Sequence, residues 1–268
     1  MSFDRDSSRF FGIIAGFKFF KALQSFINER YVNHFNIDMS EFKKPSEYES
    51  LNALFTRKLE KLRNLEDGFI SPSDGCILQS GEAFLAENEL FAFSIKGRTY
   101  SVEELLRDNY EKEELKNGLN YANIYLSPKD YHRYHAPCNL QILSLTYTSG
   151  ALFSVNEKHL SKIANLYTQN ERVSLKCKSV EKNFIFWLVF VGAQNVGKMC
   201  FDFDKSMQTN MKTAHNFTRK YNDLIIKKGE ELGNFELGST IVVLSQKGHL
   251  NFEPKTRIKF GEKLANFL

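Results

Sequence analysis

Phe184-Ile185-Phe186-Trp187-Leu188-Val189-Phe190-Val191 is a run without one polar side chain. A short continuous apolar run of this kind reads as a strand covered on both faces, the middle of a sheet. Strand-like segments surround it in both directions. They are Cys76–Leu78, Leu90–Ile95, Ala122–Leu126, Leu140–Tyr147, Arg172–Lys178, Lys198–Phe203 and Leu237–Leu244, with turn residues between most of them. Helical patterns come earlier in the chain. The expected fold is therefore α+β: N-terminal amphipathic helices, then a mostly antiparallel β domain. Residues 46–268 read as one catalytic domain, because the chemically interesting residues come from both ends of the β region. Residues 1–45 read as a helical region preceding it.

The bulk numbers set bounds on function. With 42% hydrophobic and 25% charged residues, the chain has the makings of an ordinary globular core. A net charge of +4 suits an anionic membrane surface but is too small for a nucleic-acid binder. Phe is abundant, with 25 copies, which fits either a Phe-rich core or aromatic side chains offered to lipid. Cys76, Cys138, Cys177 and Cys200 form no CxxC pair and match no zinc spacing, so they are expected to be free thiols with no metal site. The most apolar stretch, Phe10 to Ile27, is interrupted by Lys18, Lys21 and Gln24, and a membrane span needs about 20 apolar residues. It also lacks a signal-peptide cleavage pattern, so the chain is expected to stay in the cytosol.

Residues 8 to 35 read as one helix. Phe10, Ile13, Ile14, Phe17, Phe20, Leu23, Phe26 and Ile27 recur at three- and four-residue spacing, with Arg9, Lys18, Lys21, Gln24 and Asn28 mainly between them. Such a stripe either packs on the protein's own core or lies in a membrane interface. A second helix is expected over Leu51 to Leu65. A third should start at Ser101, where Ser101-Val102-Glu103-Glu104 has capping-box spacing, and run to about Lys116.

Three short segments carry reactive side chains. Ser71-Pro72-Ser73-Asp74-Gly75 is a turn that would aim a carboxylate inward. Leu126-Ser127-Pro128-Lys129-Asp130-Tyr131-His132-Arg133-Tyr134-His135-Ala136-Pro137 holds two of the six histidines. On a strand these two would face opposite sides, on a helical turn the same side. Phe235-Glu236-Leu237-Gly238-Ser239-Thr240 leads into the apolar segment Ile241-Val242-Val243-Leu244. Taken singly, Asp74 reads as a turn former, each histidine as packing or surface, and Ser239 as a strand-edge serine. His34, His159, His215 and His249 receive no chemical role.

Together and in this order, the three segments resemble the signature of the phosphatidylserine decarboxylases. Further segments extend the likeness: Leu54–Leu59, Gly150–Asn156, Asn170–Val173, Val191–Gly197 and Lys228–Gly233. It covers at least residues 51 to 245. Leu54, Tyr134 and Gln194 depart mildly from the family pattern and remove no reactive group. The resemblance implies self-cleavage between Gly238 and Ser239, giving a β chain to residue 238 and an α chain of residues 239–268 that stay together as a heterodimer. Ser239 becomes a covalent pyruvoyl cofactor, with no metal and no pyridoxal phosphate. His135 would serve as the base for Ser239, since a serine hydroxyl is a poor nucleophile until its proton is taken. Asp74 would orient His135. His132 would supply a proton to the substrate α-carbon after carbon dioxide leaves. The implied substrate is phosphatidylserine, decarboxylated through a Schiff base to phosphatidylethanolamine in phospholipid biosynthesis. A lipid substrate favours the membrane reading of the N-terminal stripe, placing the protein peripherally on the cytoplasmic face of the cell membrane. A higher oligomer stays open, and Arg133, Lys129 and the amides near Asn195 are weak candidates for the lipid phosphate.

Three other classes compete. A serine hydrolase would use Asp74, His135 and Ser239 without self-cleavage, but there is no Gly-x-Ser-x-Gly elbow, and its chain would stay intact on a denaturing gel. A non-catalytic lipid-binding module would not need the four residues together. A pyruvoyl decarboxylase for a soluble amino acid would not need the aromatic N-terminus.

Overall fold

The computed structural model describes residues 12, 14–85, 91–155, 163, 165–193, 198–207, 209–210, 215–236 and 239–268. At its centre is an eight-stranded sheet. In spatial order its strands are Phe217–Ile226, Leu140–Thr148, Arg172–Ser179, Ile185–Val191, Ser239–Gln246, Leu119–Leu126, Gly75–Glu82 and Arg257–Ile258. Every neighbouring pair is antiparallel. The α+β expectation holds, and the apolar run lies where it was expected, with a partner on each side and a core on each face. Phe186, Leu188 and Phe190 enter one core, while Trp187, Val189 and Val191 enter the other. Period-two alternation cannot show in such a strand because both of its faces are dry. Trp187 keeps its one polar atom satisfied by donating to the Asn109 carbonyl at 2.7 Å.

Smaller elements cover the two faces. On one side lie two three-stranded sheets, Phe69–Ile70 with Lys263–Phe267 and Leu250–Phe252, and Met199–Phe201 with Glu231–Phe235 and Arg133–His135. On the other lie the strands Phe84–Leu85, Phe91–Ile95 and Arg98–Ser101, with the short helices Val102–Leu106, Lys112–Leu115 and Leu166–Gln169. The Phe217–Ile226 strand, which sequence periodicity did not single out, forms one sheet edge. It mixes apolar with charged residues and bulges between Lys220 and Leu224, features that discourage edge-to-edge pairing. Gly75 allows the sheet to close beside Asp74, since a Cβ there would meet the Tyr125 carbonyl oxygen at 2.7 Å.

The helices are shorter than the patterns imply. Residues 17–20 are not helical, and the main N-terminal helix is Lys21–Phe35, stopped by Asn36 in the left-handed region. Arg9, Phe10 and Ile13 lie outside the described residues. The most deeply buried residues of the helix are polar. Gln24 and Asn28 are buried, Gln24 Nε2 donates to Asn28 Oδ1 at 2.8 Å, and Asn28 Nδ2 donates to the carbonyls of Pro45 and Tyr48 at 2.9 Å each. Phe17, Phe20 and Phe26 are 56%, 72% and 56% exposed. The second helix ends at Phe55 instead of Leu65, capped by the Ser50 hydroxyl at its start, and the chain beyond it extends to bury Arg57. In the third, Ser101 accepts from Glu104 N as the capping motif requires. The helix then breaks at Arg107, whose φ is 56°, and resumes as Lys112–Leu115. Among the described residues no helix is long and apolar enough to cross a membrane, no residue group is arranged to hold a metal, and all four cysteines are free.

Candidate active site

Ser239 is the first residue of its strand, in register with Leu126 on the neighbouring strand. Its side chain is fully buried, and its Oγ has no hydrogen-bond partner among the described residues. Such a hydroxyl costs free energy to bury, roughly 1–3 kcal/mol, unless it has another use. Gly238, the other half of the expected cleavage site, lies outside the described residues.

The segment after Leu126 brings in the histidines. Ser127 and Asp130 close a turn, with Ser127 N and Oγ donating to Asp130 Oδ2 at 2.8 and 2.7 Å. His132 follows, and its Nδ1 donates to the Asp130 carbonyl at 2.8 Å. That bond sets the neutral tautomer and leaves a lone pair on Nε2. Nε2 is buried and has no partner among the described residues. The ring lies 4.0 Å from that of Phe55. Burial first, and the nearby Arg57 charge second, hold the His132 pKa down to about 3, so the ring is neutral at pH 7. The His132 carbonyl accepts from Phe235 N at 2.9 Å, which ties this segment to the one leading into Ser239.

His135 ends the strand Arg133–His135 and has different neighbours. Its Nδ1 donates to the Gly229 carbonyl at 2.9 Å, and its Nε2 accepts from the Tyr131 hydroxyl at 2.9 Å. Phe260 stacks on the ring with centroids 3.7 Å apart. Burial pushes its pKa down to about 4, so it too is neutral.

Asp74 is buried, but its carboxylate does not meet His135. Arg63 donates to both oxygens, at 2.5 and 3.0 Å, and Phe260 N donates to Oδ1 at 2.7 Å. Burial raises the Asp74 carboxyl above its usual range, opposed by Arg63 and the Phe260 amide. Arg63 also binds Glu41 through Nε and Nη2. The structure thus brings Asp74 and His135 to the same residue, Phe260, through its amide and its ring. It does not join Asp74, His135 and Ser239 by hydrogen bonds, because Arg63 occupies the carboxylate and the Gly229 carbonyl occupies Nδ1.

Sequence reasoning missed Arg57, Arg63, Tyr131 and Phe260 as parts of this site. Tyr131 had a signal, its place beside His132. Arg57 lay in the family-like segment Leu54–Leu59 without being given a role, Arg63 read as an ordinary charge in a helical pattern, and nothing local marks Phe260. Of the candidates for an anionic ligand, Arg133 is committed elsewhere, pairing with Glu231 and donating to the Thr56 carbonyl at 2.9 Å. Asn195 lies outside the described residues. Lys129 lines a cleft of about 370 Å³ together with Arg57, Asp74, Tyr131, Arg257 and Lys259.

The chain is similar to known proteins over most of its length. The family described as phosphatidylserine decarboxylase matches residues 51–266. A phosphatidylserine decarboxylase proenzyme of Campylobacter jejuni is 70% identical over 268 residues, covering 99% of this chain and 100% of the relative. The proenzyme of Helicobacter pylori strain 26695 is 46% identical over 264 residues, 97% of this chain and 96% of the relative. That of Legionella pneumophila strain Lens is 35% identical over 232 residues, 84% of this chain and 80% of the relative.

Proposed function

The chain belongs to the phosphatidylserine decarboxylase family, and from that premise we propose that it is a proenzyme which cuts itself between Gly238 and Ser239, then converts phosphatidylserine to phosphatidylethanolamine and carbon dioxide. The observation that carries the reading is the Ser239 hydroxyl, fully buried at the start of a central strand and bonded to nothing described. Self-cleavage gives it a use. The Oγ attacks the Gly238 carbonyl carbon, its proton passes to a base, and the acyl group moves from nitrogen to oxygen. The base-assisted loss of the Ser239 α-proton then expels the chain ending at Gly238 as a carboxylate. Tautomerisation and hydrolysis release ammonia and leave a pyruvoyl group at residue 239.

The residues present fit such a group. Pairing with Leu126 holds position 239 in register, Ser239 and His132 are fully buried, and His132 Nε2 has no partner among the described residues. Once formed, the group supplies an electron-withdrawing carbonyl that stabilises the charge left when carbon dioxide departs. His135 is assigned to the Ser239 proton: the Gly229 bond fixes its tautomer, and its lone pair is free once the Tyr131 hydroxyl turns away. Asp74 holds this corner through Arg63 and Phe260. His132 is assigned to the proton delivered at the substrate α-carbon. One observation favours a second reading with the two histidines exchanged: only His132 has a lone pair that no described residue already engages.

The substrate is a lipid, and the N-terminal region is the part suited to a bilayer. Residues 1–45 are proposed to bind the anionic cytoplasmic membrane surface peripherally, and residues 46–268 to form the catalytic domain. The exposed Ile14, Phe17, Phe20 and Phe26, with the polar contact made by Gln24 and Asn28 on the protein side, support this.

The test is the intact mass of the purified protein in denaturant. Fragments of residues 1–238 and 239–268, the second blocked by pyruvoyl, are expected. A single 268-residue chain after prolonged incubation would overturn the proposal.

A further inference from the structure

Arg57 is a buried charge whose bonding is incomplete. It is 2% exposed. Both hydrogens of Nη2 are used, toward the carbonyls of Lys129 at 2.7 Å and Asp130 at 3.0 Å. Nε and Nη1 are buried and have no partner among the described residues. A guanidinium has five N–H groups, so three remain unmet. Its charge lies over the Phe42 ring, 4.6 Å from the centroid, a contact that a carboxylate would outweigh. Leaving a buried guanidinium without an anion costs several kcal/mol.

The surroundings say what is missing. Arg57 lines the cleft described above, and the carboxylates there already have partners. Asp74 and Glu41 bind Arg63, Asp130 binds Arg257, Asp38 accepts from Ser40 N, and Glu262 accepts from Lys259 N. Arg57 has no ion pair among the described residues. It sits one residue beyond Thr56 and two beyond Phe55, whose ring touches His132, and its carbonyl bonds hold the turn from which His132 projects. Tyr31, on the N-terminal helix assigned to the membrane, lies within electrostatic reach of Arg57. The arginine thus has the N-terminal helix within electrostatic reach and the His132 turn within hydrogen-bond reach.

We propose that Arg57 binds the phosphodiester of the lipid headgroup through its unused Nε and Nη1 donors. The inference rests on the decarboxylase reading and adds the group that anchors the substrate. The headgroup carries two anions, and chemistry chooses between them. A cation bound to the carboxylate would stabilise the form that must lose its charge as carbon dioxide, raising the barrier. The phosphodiester keeps its charge in substrate and product, so a cation there anchors the lipid without opposing the reaction.

The product separates the two anions experimentally, since phosphatidylethanolamine retains the phosphodiester and lacks the carboxylate. Arg57→Gln and Arg57→Lys would be prepared, their processing checked by mass, and dihexanoyl phosphatidylethanolamine titrated into each by calorimetry. KM and kcat for dihexanoyl phosphatidylserine would be measured beside it. Arg57→Gln is expected to weaken product binding and raise KM by about 100-fold each, with a smaller change in kcat and partial recovery in Arg57→Lys. Unchanged product affinity with impaired handling of the substrate would assign Arg57 to the carboxylate and overturn the proposal. Unchanged affinity for both would make it a positioning residue for the His132 turn. If neither variant folds, a crystal of the wild-type protein with dihexanoyl phosphatidylethanolamine decides: a phosphate seated on Lys129, Arg257 or Lys259 instead of Arg57 overturns it. Wild type that never cleaves itself would remove the underlying decarboxylase reading, whereas processed, active wild type with lipid binding indifferent to Arg57 would remove only this inference.

Discussion

Among the described residues, two atoms of the candidate reactive groups are buried without a partner, Ser239 Oγ and His132 Nε2. The third reactive residue, His135, has both ring nitrogens engaged. The roles can be separated by variants. Ser239→Ala and His135→Ala are expected to stay uncut, His132→Ala to be cut but to decarboxylate at least about 100-fold more slowly. An uncut His132→Ala beside a normally processed His135→Ala would exchange the two roles. Asp74→Asn is expected to slow processing severely through loss of the charge that holds Arg63 and Phe260. Removing one partner of that buried pair should also cost about 3–5 kcal/mol of stability, measured by denaturant unfolding. The histidines add a pH dependence. Their folded pKa values, about 3 and about 4, lie below the 6.5 of an unhindered imidazole. As pH falls below 6.5 the unfolded chain takes up protons first, so the native state loses stability, and above 6.5 these groups contribute no slope. For His135 the loss by pH 4.5 is about 2–3 kcal/mol. Unfolding of the uncut Ser239→Ala protein between pH 7.5 and 4.5 should show it, and adding His135→Gln should remove the share due to His135 while that of His132 remains.

At the scale of elements, the N-terminal helix is the least ordinary. This helix buries Gln24 and Asn28 most deeply, leaves Phe26 exposed and is preceded by the exposed Phe17 and Phe20, so it is not held by a deeply buried apolar stripe. Its apolar side needs another cover. Each aromatic buried in lipid contributes on the order of 1.5–3 kcal/mol, and each nearby Lys or Arg about 1 kcal/mol at an anionic surface. Replacing Ile14, Phe17 and Phe20 with Ser should therefore weaken co-sedimentation with phosphatidylserine vesicles by at least 100-fold while self-cleavage proceeds. Unchanged sedimentation of the processed variant would exclude this face as the membrane contact. The same helix shows what periodicity misreads. Phe17 and Phe20 keep the three-residue spacing of a helix, yet residues 17–20 are not helical. The pattern recorded the need for apolar residues in this segment, and the contacts made by Asn28 decided where the helix runs.

At the scale of the whole molecule, the proposed cut lies at the start of a strand paired on both sides. Ser239–Gln246 pairs with Leu119–Leu126 along its whole length and with Ile185–Val191 from Thr240 to Ser245. The segments Leu250–Phe252, Arg257–Ile258 and Lys263–Phe267 add further pairing with residues before the cut or among themselves. The two chains should co-elute in native size-exclusion chromatography after cleavage and part only in denaturant. Separation without denaturant would show that this sheet does not hold the heterodimer. The central strand Ile185–Val191 was legible in sequence because it is apolar without interruption, and burial on both faces demands that. The candidate reactive residues could be picked out because each sits in an extended local motif: Asp74 before Gly75, the histidines in one segment, Ser239 before an apolar strand. What sequence could not contain is the set of partners. Arg63 reaches Asp74 from 11 positions away, Phe260 from 186, and the Gly229 carbonyl reaches His135 from 94. Hydrogen bonds across such separations depend on how the sheets close on one another. Only the tertiary structure could therefore decide that Asp74 binds an arginine, that His135 binds a tyrosine, and that Arg57 is buried with donors to spare.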